Sequence, residues 1–307
     1  MAVEAIAAAG APVRGVRRRV SAAFWRHPWL KALALLVPPV GAYLVVYVGS
    51  LAVLFVSSFW AVDAFTGRVV HHWNVDNFTQ VFSLADPTYL RIAWRTIWVA
   101  AAVTATDAVV ALPFAYFMAR IARARTRALL FIAVLLPLWS SYLVRIYAWR
   151  TILAADGPLN WALHGVGLPR AGLLYTNWAM WLVFSYVWLP FMVLPVYAAV
   201  ERIPDSYLEA SFDLGGRSWR TFWSVVCPLV LPGLVAGSIF TFSLTLGDYI
   251  TPLLVGGPSS SFIGNVVYDF IGLSGNQPFA AAFATVPVVI MAVYLVLART
   301  LGAFEAL

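Results

Sequence analysis

Residues 178–200 read WAMWLVFSYVWLPFMVLPVYAAV and residues 229–255 read LVLPGLVAGSIFTFSLTLGDYITPLLV. As helices, both are long enough to cross a hydrocarbon core of about 30 Å, which takes roughly 20 residues. Between them, at 209–228, stands the polar stretch EASFDLGGRSWRTFWSVVCP. Working outward, four more stretches meet the same test: 33–60, 92–119, 128–149 and 279–301. The composition agrees: of 307 residues, 62% are hydrophobic and only 11% charged, with a mean hydropathy of +0.84. That is too little polar surface to cover a water-soluble globule, so the reading is an all-α integral membrane protein with six transmembrane helices. One transmembrane domain is expected over 33–302, preceded by a basic segment at 1–32.

The basic residues fix an orientation. Arg14, Arg17, Arg18, Arg19, Arg26 and Lys31 precede or open the first span, Arg120, Arg123, Arg125 and Arg127 follow the second, and Arg202, Arg217 and Arg220 follow the fourth. With Arg299 they outnumber the opposite side, which has Arg68, Arg91, Arg95, Arg145, Arg150 and Arg170. The positive-inside rule then places both termini and the 201–228 loop in the cytoplasm of a bacterial inner-membrane protein. The first apolar run exceeds the length of a signal peptide's core, so it reads as an uncleaved span. The net charge of +7 is spent on these flanks and forms no basic face, so no nucleic-acid partner is expected. Cys227 has no disulfide partner, and His71 and His72 lack further ligands, so neither a metal site nor a catalytic set is read. Outer-loop Trp73, Tyr89, Trp161 and Tyr175 suit an aromatic belt. Prolines recur inside the spans, as at Pro113, Pro137, Pro190, Pro195, Pro252 and Pro287, where each removes a backbone hydrogen bond and favours a kink.

Within the polar loop, Ser206 and Glu209 have capping-box spacing, so a helix is expected to start near Tyr207 and to end at Gly215-Gly216. Leu208 and Phe212 would share a face. A second short helix is expected over 218–226, before Pro228 opens the fifth span. The plain alternative is an interfacial helix lying on the headgroups, with Glu209 merely its cap.

The same run resembles the loop of binding-protein-dependent ABC importer permeases, in which Glu-Ala-Ala is followed by three residues, Gly, nine residues and Ile-x-Leu-Pro. Glu209, Ala210, Gly215 and Pro228 match, while Ser211, Val225 and Cys227 depart mildly. The resemblance covers about 90–300 and implies the type I importer fold, with a cytoplasmic coupling helix between spans four and five. It further implies that Leu208, Glu209, Ala210, Phe212 and Gly215 dock into a separate ATPase subunit. Glu209 would pair with a basic group there, and Leu208 and Phe212 would be buried anchors. The chain has no G-x-x-x-x-G-K-[ST] phosphate loop, so no cofactor is expected in it. ATP and Mg would be bound by two partner ATPase subunits, and the chain itself is not an enzyme.

For a substrate path, two carboxylates fall inside spans, Asp107 and Asp248. A charge at mid-bilayer costs about 2.5–3.5 kcal/mol, so such acids face cavities, pair, or serve function. The plain reading of Asp107 is a buried group satisfied by Thr104, Thr106 or a basic neighbour. Asp248 lies in T-L-G-D-Y-I-T-P, where Gly247 and Pro252 can unwind the helix beside Tyr249, an arrangement suited to an ammonium group. Trp94, Trp98, Tyr142, Trp181, Tyr186, Trp188 and Tyr249 are candidates to line the path, although most of the 14 tryptophans are explained by packing and interface anchoring. The 243–258 stretch resembles the spermidine/putrescine branch of these permeases. The resemblance implies a polyamine path shared with a second homologous permease and fed by an extracytoplasmic solute-binding protein. Related branches carry ferric ion, thiosulfate or other small solutes and stay open as alternatives. An ion-coupled secondary transporter would need inverted repeats, which the sequence lacks.

Overall fold

The computed structural model describes residues 28–63 and 65–300. The expected basic segment therefore lies mostly outside the described residues, as does the end of the sixth span. Two compact units are distinguished, one through Val56 and one from Ser57 onward.

The first unit holds all but the last residue of the span Lys31–Ser57, built from α1 (Pro28–Tyr43), a π turn over Leu44–Val48 and α2 (Gly49–Ser57). Pro38 and Pro39 are accommodated in α1 without ending it. The expected extension to Trp60 is corrected: the helix closes at Ser57, and Trp60 sits in a turn, its N–H donating to the Ser57 carbonyl at 3.0 Å.

The second unit opens with a two-stranded ribbon, β1 (Ala61–Val62) antiparallel to β2 (Val69–Val70), and a short α3 (Asp76–Val81). Asn77 ties the helix to the turn that precedes the ribbon by donating to the Ser58 and Trp60 carbonyls, both at 2.8 Å. The spans follow as α4 (Thr88–Tyr116, continued by a π turn to Ile121), α8 (Asn177–Glu201), a long helix comprising α10 (Ser218–Thr221) and α11 (Cys227–Leu246), and α13 (Gln277–Thr300). Two shorter helices, α5 (Ala124–Leu135) and α6 (Tyr142–Leu153), make up the third span, and α7 (Pro158–Gly165) continues from it.

That third span corrects the expectation of one straight helix over 128–149. Pro137 initiates a 3-10 turn at Leu136–Trp139, Ser140 and Ser141 are extended, and the two arms meet at 97°. Proline cannot donate into the ladder, and the two serines that follow take non-helical torsions, so the helix restarts in a new direction. The fifth span corrects a second expectation. The stretch over 218–226 is no separate helix but runs continuously into α11 through a π turn at Phe222–Val226. Pro228 lacks an N–H and crowds the carbonyl four residues back, which widens the turn instead of breaking it.

The centre of this unit is α8, packed between α4 and α11. Small residues set the approach. A Cβ at Gly233 would stand 2.5 Å from the Ala199 Cβ, and one at Gly237 would stand 2.7 Å from the Met192 sulfur. This Gly-x-x-x-Gly pair lets the α11 backbone lie against α8, the means by which helices associate where lipid offers no hydrophobic drive. One apolar cluster, including Val103, Ile146, Phe184 and Phe262, fills the end near the third-span break. Another, including Ala115, Met192, Val200 and Val226, fills the end that carries the 201–228 loop.

Candidate functional sites

The loop folds as a hook. Its first arm, α9, spans Asp205–Asp213 and starts two residues before the expected position. The capping box is not formed: Pro204 is the N-cap, in extended conformation, and no side chain caps the helix. Ser206 and Glu209 lie inside the helix, because Pro204 fixes the entry and Asp205 meets the first-turn dipole. Arg120 holds that entry from the second span, donating to Asp205 Oδ1 at 2.5 Å, to the Val200 carbonyl at 2.8 Å and to the Ile203 carbonyl.

The hook turns at Gly215, whose φ of +80° is left-handed, a region glycine enters without steric penalty. The Gly216 N–H closes the end by donating to the Ser211 carbonyl at 2.8 Å. A Cβ on Gly216 would sit 2.6 Å from that carbonyl oxygen, 2.7 Å from Ser211 Oγ and 3.0 Å from Thr221 Oγ1. Ser211, the departure from the Glu-Ala-Ala pattern, hydrogen-bonds Thr221 at 2.8 Å and so clasps the two arms together.

The two faces of α9 differ. Leu208 packs inward against the cluster that contains Val200, Ile203 and Val226. It is half-buried, so it anchors the hook to its own bundle as well as facing outward in part. Phe212, Tyr207 and Leu214 are exposed, Leu214 to 89%, and Glu209 is exposed, with no ion pair among the described residues. Ala210 lines a cleft of about 340 Å³ with Tyr207, Leu214, Gly216 and Arg220. Tyr207 and Leu214 were missed in the sequence because neither belongs to the matching motif.

The intramembrane acids differ just as sharply. Asp248 lies where the fifth span breaks, after Leu246, and the chain regains helical form at Ile250. It is 8% exposed, and both its oxygens are used. Oδ1 accepts from the N–H groups of Ile250 and Thr251 at 2.7 and 3.0 Å, a helix cap. Oδ2 accepts from the Thr251 hydroxyl at 3.2 Å and from the Tyr142 hydroxyl. Tyr142 stands just past the break in the third span and stacks on Trp188 of α8, centroids 5.5 Å apart. The expected open cation site at Asp248 is thus corrected: four donors already satisfy it, and it latches one broken span to the other.

Tyr249 points elsewhere, stacking at 5.0 Å on Tyr268 of α12 (Ile263–Gly272). Gly264 lets α12 come this close, since a Cβ there would lie 3.0 Å from the Asp248 carbonyl oxygen. Trp94 is 67% exposed and shares an outer stripe of α4 with exposed Trp98. Thirteen residues along a helix amount to about 220° of rotation at 3.6 residues per turn. The fold accordingly puts Trp94 on another face from Asp107, and it does not bring the two together.

Asp107 is 1% exposed, and neither oxygen has a hydrogen-bond partner. The plain reading fails in detail. Thr104 and Thr106 donate to the Ala100 and Ala102 carbonyls instead, both at 2.8 Å. Ser185 of α8 approaches the carboxylate without completing a hydrogen bond. Trp181, one turn earlier on α8, donates its Nε1–H to Thr106 at 3.0 Å and so stands beside this acid. Of the five expected path residues, Trp181 reaches the residue next to Asp107, Tyr249 follows Asp248 in the chain but stacks away from it, and Trp94 stands apart.

A family described as "Binding-protein-dependent transport system inner membrane component" matches residues 111–304. The chain belongs to that family. This permease is 45% identical to the inner membrane ABC transporter permease protein YdcU of Escherichia coli, over 96% of the chain and 97% of that protein. It is 33% identical to the spermidine/putrescine transport system permease protein PotB of Haemophilus influenzae, over 71% of the chain and 76% of that protein. Its fold matches a chain of a bacterial alginate ABC transporter solved with an alginate-bound periplasmic protein. The TM-score is 0.70 at 17% identity, covering 94% of this permease and 98% of that chain. The permease is therefore a membrane subunit of an ABC importer, with the helical membrane fold of that class.

Proposed function

We propose that this permease, together with a second homologous permease, encloses a path for a polyamine such as spermidine or putrescine. Two cytoplasmic ATPase subunits would grip the hook of each permease, bind ATP and Mg, and drive the bundle between outward- and inward-open arrangements. An extracytoplasmic binding protein would deliver the cargo. Both termini and the hook would face the cytoplasm, a placement supported by the distribution of arginines.

The observation that carries the coupling role is the two-faced hook. Its inner face is fixed to the bundle by Leu208, Arg120–Asp205 and Ser211–Thr221, while Tyr207, Glu209, Phe212 and Leu214 stand clear. A lever needs this division, rigid toward the load and open toward the engine. Glu209 offers an unpaired charge to a basic group, and the exposed aromatics and Leu214 offer anchors. Gly215 provides the turn that keeps Ala210 accessible.

The polyamine assignment is supported by Asp107, a buried acid without a hydrogen-bond partner among the described residues, next in the chain to the Thr106 hydroxyl that Trp181 bonds. Carboxylate and indole together suit an ammonium group. It is supported also by a relative named for spermidine and putrescine transport. The test is ATP-dependent uptake of labelled spermidine and putrescine into vesicles carrying the complete transporter. Uptake that falls in Asp107→Asn but leaves ATPase association intact is the expected result. A complex that hydrolyses ATP but moves neither amine removes the cargo assignment and leaves the importer reading standing.

A further inference from the structure

A cavity of about 660 Å³ opens beside the break in the fifth span, between Tyr175, the stretch from Pro252 to Ser261, and Tyr268 and Asp269 of α12. Its size is that of a small-molecule site, about 300–1,000 Å³. Tyr175 stands just before α8, and Pro252 follows the break after α11, so the cavity lies at the end of the bundle opposite the hook. With the hook on the cytoplasmic side, as proposed, this is the end at which cargo arrives.

One wall is held in a strained shape. Among the described residues Tyr175 alone combines a side chain with a left-handed φ, +66°, a conformation that persists only where its surroundings impose it and that gathers at ligand clamps. Its N–H donates to the Val255 carbonyl at 2.8 Å, and its hydroxyl accepts from Arg150 at 3.3 Å. Gly257, itself at φ +76°, makes room for the ring, since a Cβ there would stand 2.9 Å from the Tyr175 Cβ. The opposite wall is as firmly set. Tyr268 is backed by the stacked ring of Tyr249, and buried Asn265 spends its amide on the Phe262 N–H and the Tyr249 carbonyl, at 2.9 and 2.7 Å.

The charge in this frame has one sign. Asp269 is the sole ionisable carboxylate or base among the lining residues, it is exposed, and it forms no ion pair among the described residues. Arg95, close behind the wall, turns two of its nitrogens to the Ser259 and Ser261 carbonyls and does not line the cavity. An acid between two tyrosine rings suits an ammonium group, and Pro252, Leu253 and Pro258 offer an apolar wall to a methylene chain.

We infer that this cavity binds the ammonium end of an amine, with Asp269 as its counter-ion and Tyr268 and Tyr175 as its aromatic walls, ahead of the membrane path. The choice of a polyamine as that amine rests on the proposed cargo. Asp107 is not among the lining residues, so the site stands apart from it.

The test places a thiol in the cavity by Leu253→Cys, with Cys227→Ser removing the chain's single native cysteine. The purified complex with its second permease and ATPase is treated with a trimethylammonium methanethiosulfonate or its sulfonate counterpart, and the mass of this chain reports modification. Relative to a small free thiol, the ratio of cationic to anionic rate is expected to rise at least fivefold. Putrescine and n-butylamine should each slow the reaction. Asp269→Asn should remove both the preference and the protection, and Asp269→Glu should keep them. A thiol that neither reagent reaches overturns the inference, because the cavity is then closed in the assembled transporter. Preference and protection that survive Asp269→Asn overturn it too. If n-butylamine protects and putrescine does not, the ammonium site stands and the polyamine cargo falls. If neither protects, the inference falls, and putrescine uptake by the same complex decides the cargo independently.

Discussion

Replacing Gly216 with alanine puts one methyl group where the hook has no room for it. The new Cβ would be 2.6 Å from the Ser211 carbonyl oxygen, and that oxygen is the acceptor that closes α9 through the Gly216 N–H. The clash is with backbone, so rotating a side chain cannot relieve it. Separating the atoms loses one backbone hydrogen bond, about 1 kcal/mol. Forcing a methyl into packed space adds about 1–3 kcal/mol. A total of about 2–4 kcal/mol lowers the equilibrium for forming the hook by roughly 30- to 700-fold, at 1.4 kcal/mol per tenfold. The assay is co-purification of the ATPase with the permease, alongside ATP-driven uptake in vesicles. Gly216→Ala is expected to lose both while still inserting in the membrane. Adding Ser211→Ala removes the hydroxyl contact but not the carbonyl, so it should not rescue. Gly165→Ala, where a Cβ meets nothing within 4 Å, is the neutral control. Full ATPase association and uptake in Gly216→Ala would refute the claim that the closed hook is the coupling element.

Further predictions concern single contacts. Glu209→Ala should weaken ATPase association or uncouple hydrolysis from uptake without reducing the amount of permease in the membrane; unchanged uptake and association rule out its pairing role. Tyr142→Phe removes a hydroxyl bonded to a buried carboxylate, worth about 1.5–3 kcal/mol, and should lower the thermal midpoint of the purified complex by several degrees. An unshifted midpoint would mean that the two breaks are not held together through this hydroxyl. Trp94→Ala should leave the folding of this chain intact, because the side chain projects outward from α4; a thermal midpoint lowered by several degrees would mean that it packs within the bundle.

Much of this was legible because membrane chains write their constraints in runs of composition. The spans and the Gly215 turn follow from short-range rules, apolar length and the left-handed torsion. What was not legible depends on partners far along the chain. Ser206 and Glu209 have the spacing of a capping box, yet Pro204 starts the helix earlier and leaves them inside it. Leu208 and Phe212 lie four residues apart on one helix, but only the bundle decides that Leu208 faces inward. Asp107 and Asp248 look alike as acids in apolar spans. Only the fold gives Asp248 four donors and Asp107 none. Arg145 counted in the sequence as a mere loop charge, because nothing local reveals that its helix restarts inside the bundle after the bend.

The latch between the broken spans also sets an order of events during synthesis. Tyr142 and Asp248 are 106 residues apart, and at about 5–20 residues per second the ribosome needs roughly 5–20 s to make the second after the first. Until then the third span has two arms, of which α6, with 12 residues, is only about 18 Å long. That is too short to cross a bilayer alone. The nascent third span must therefore wait, half-inserted or held by the insertion machinery, until the fifth span arrives to lock its bend. Variants that weaken this pair should accordingly lose permease to degradation during assembly, in addition to the lower midpoint of the complexes that survive it.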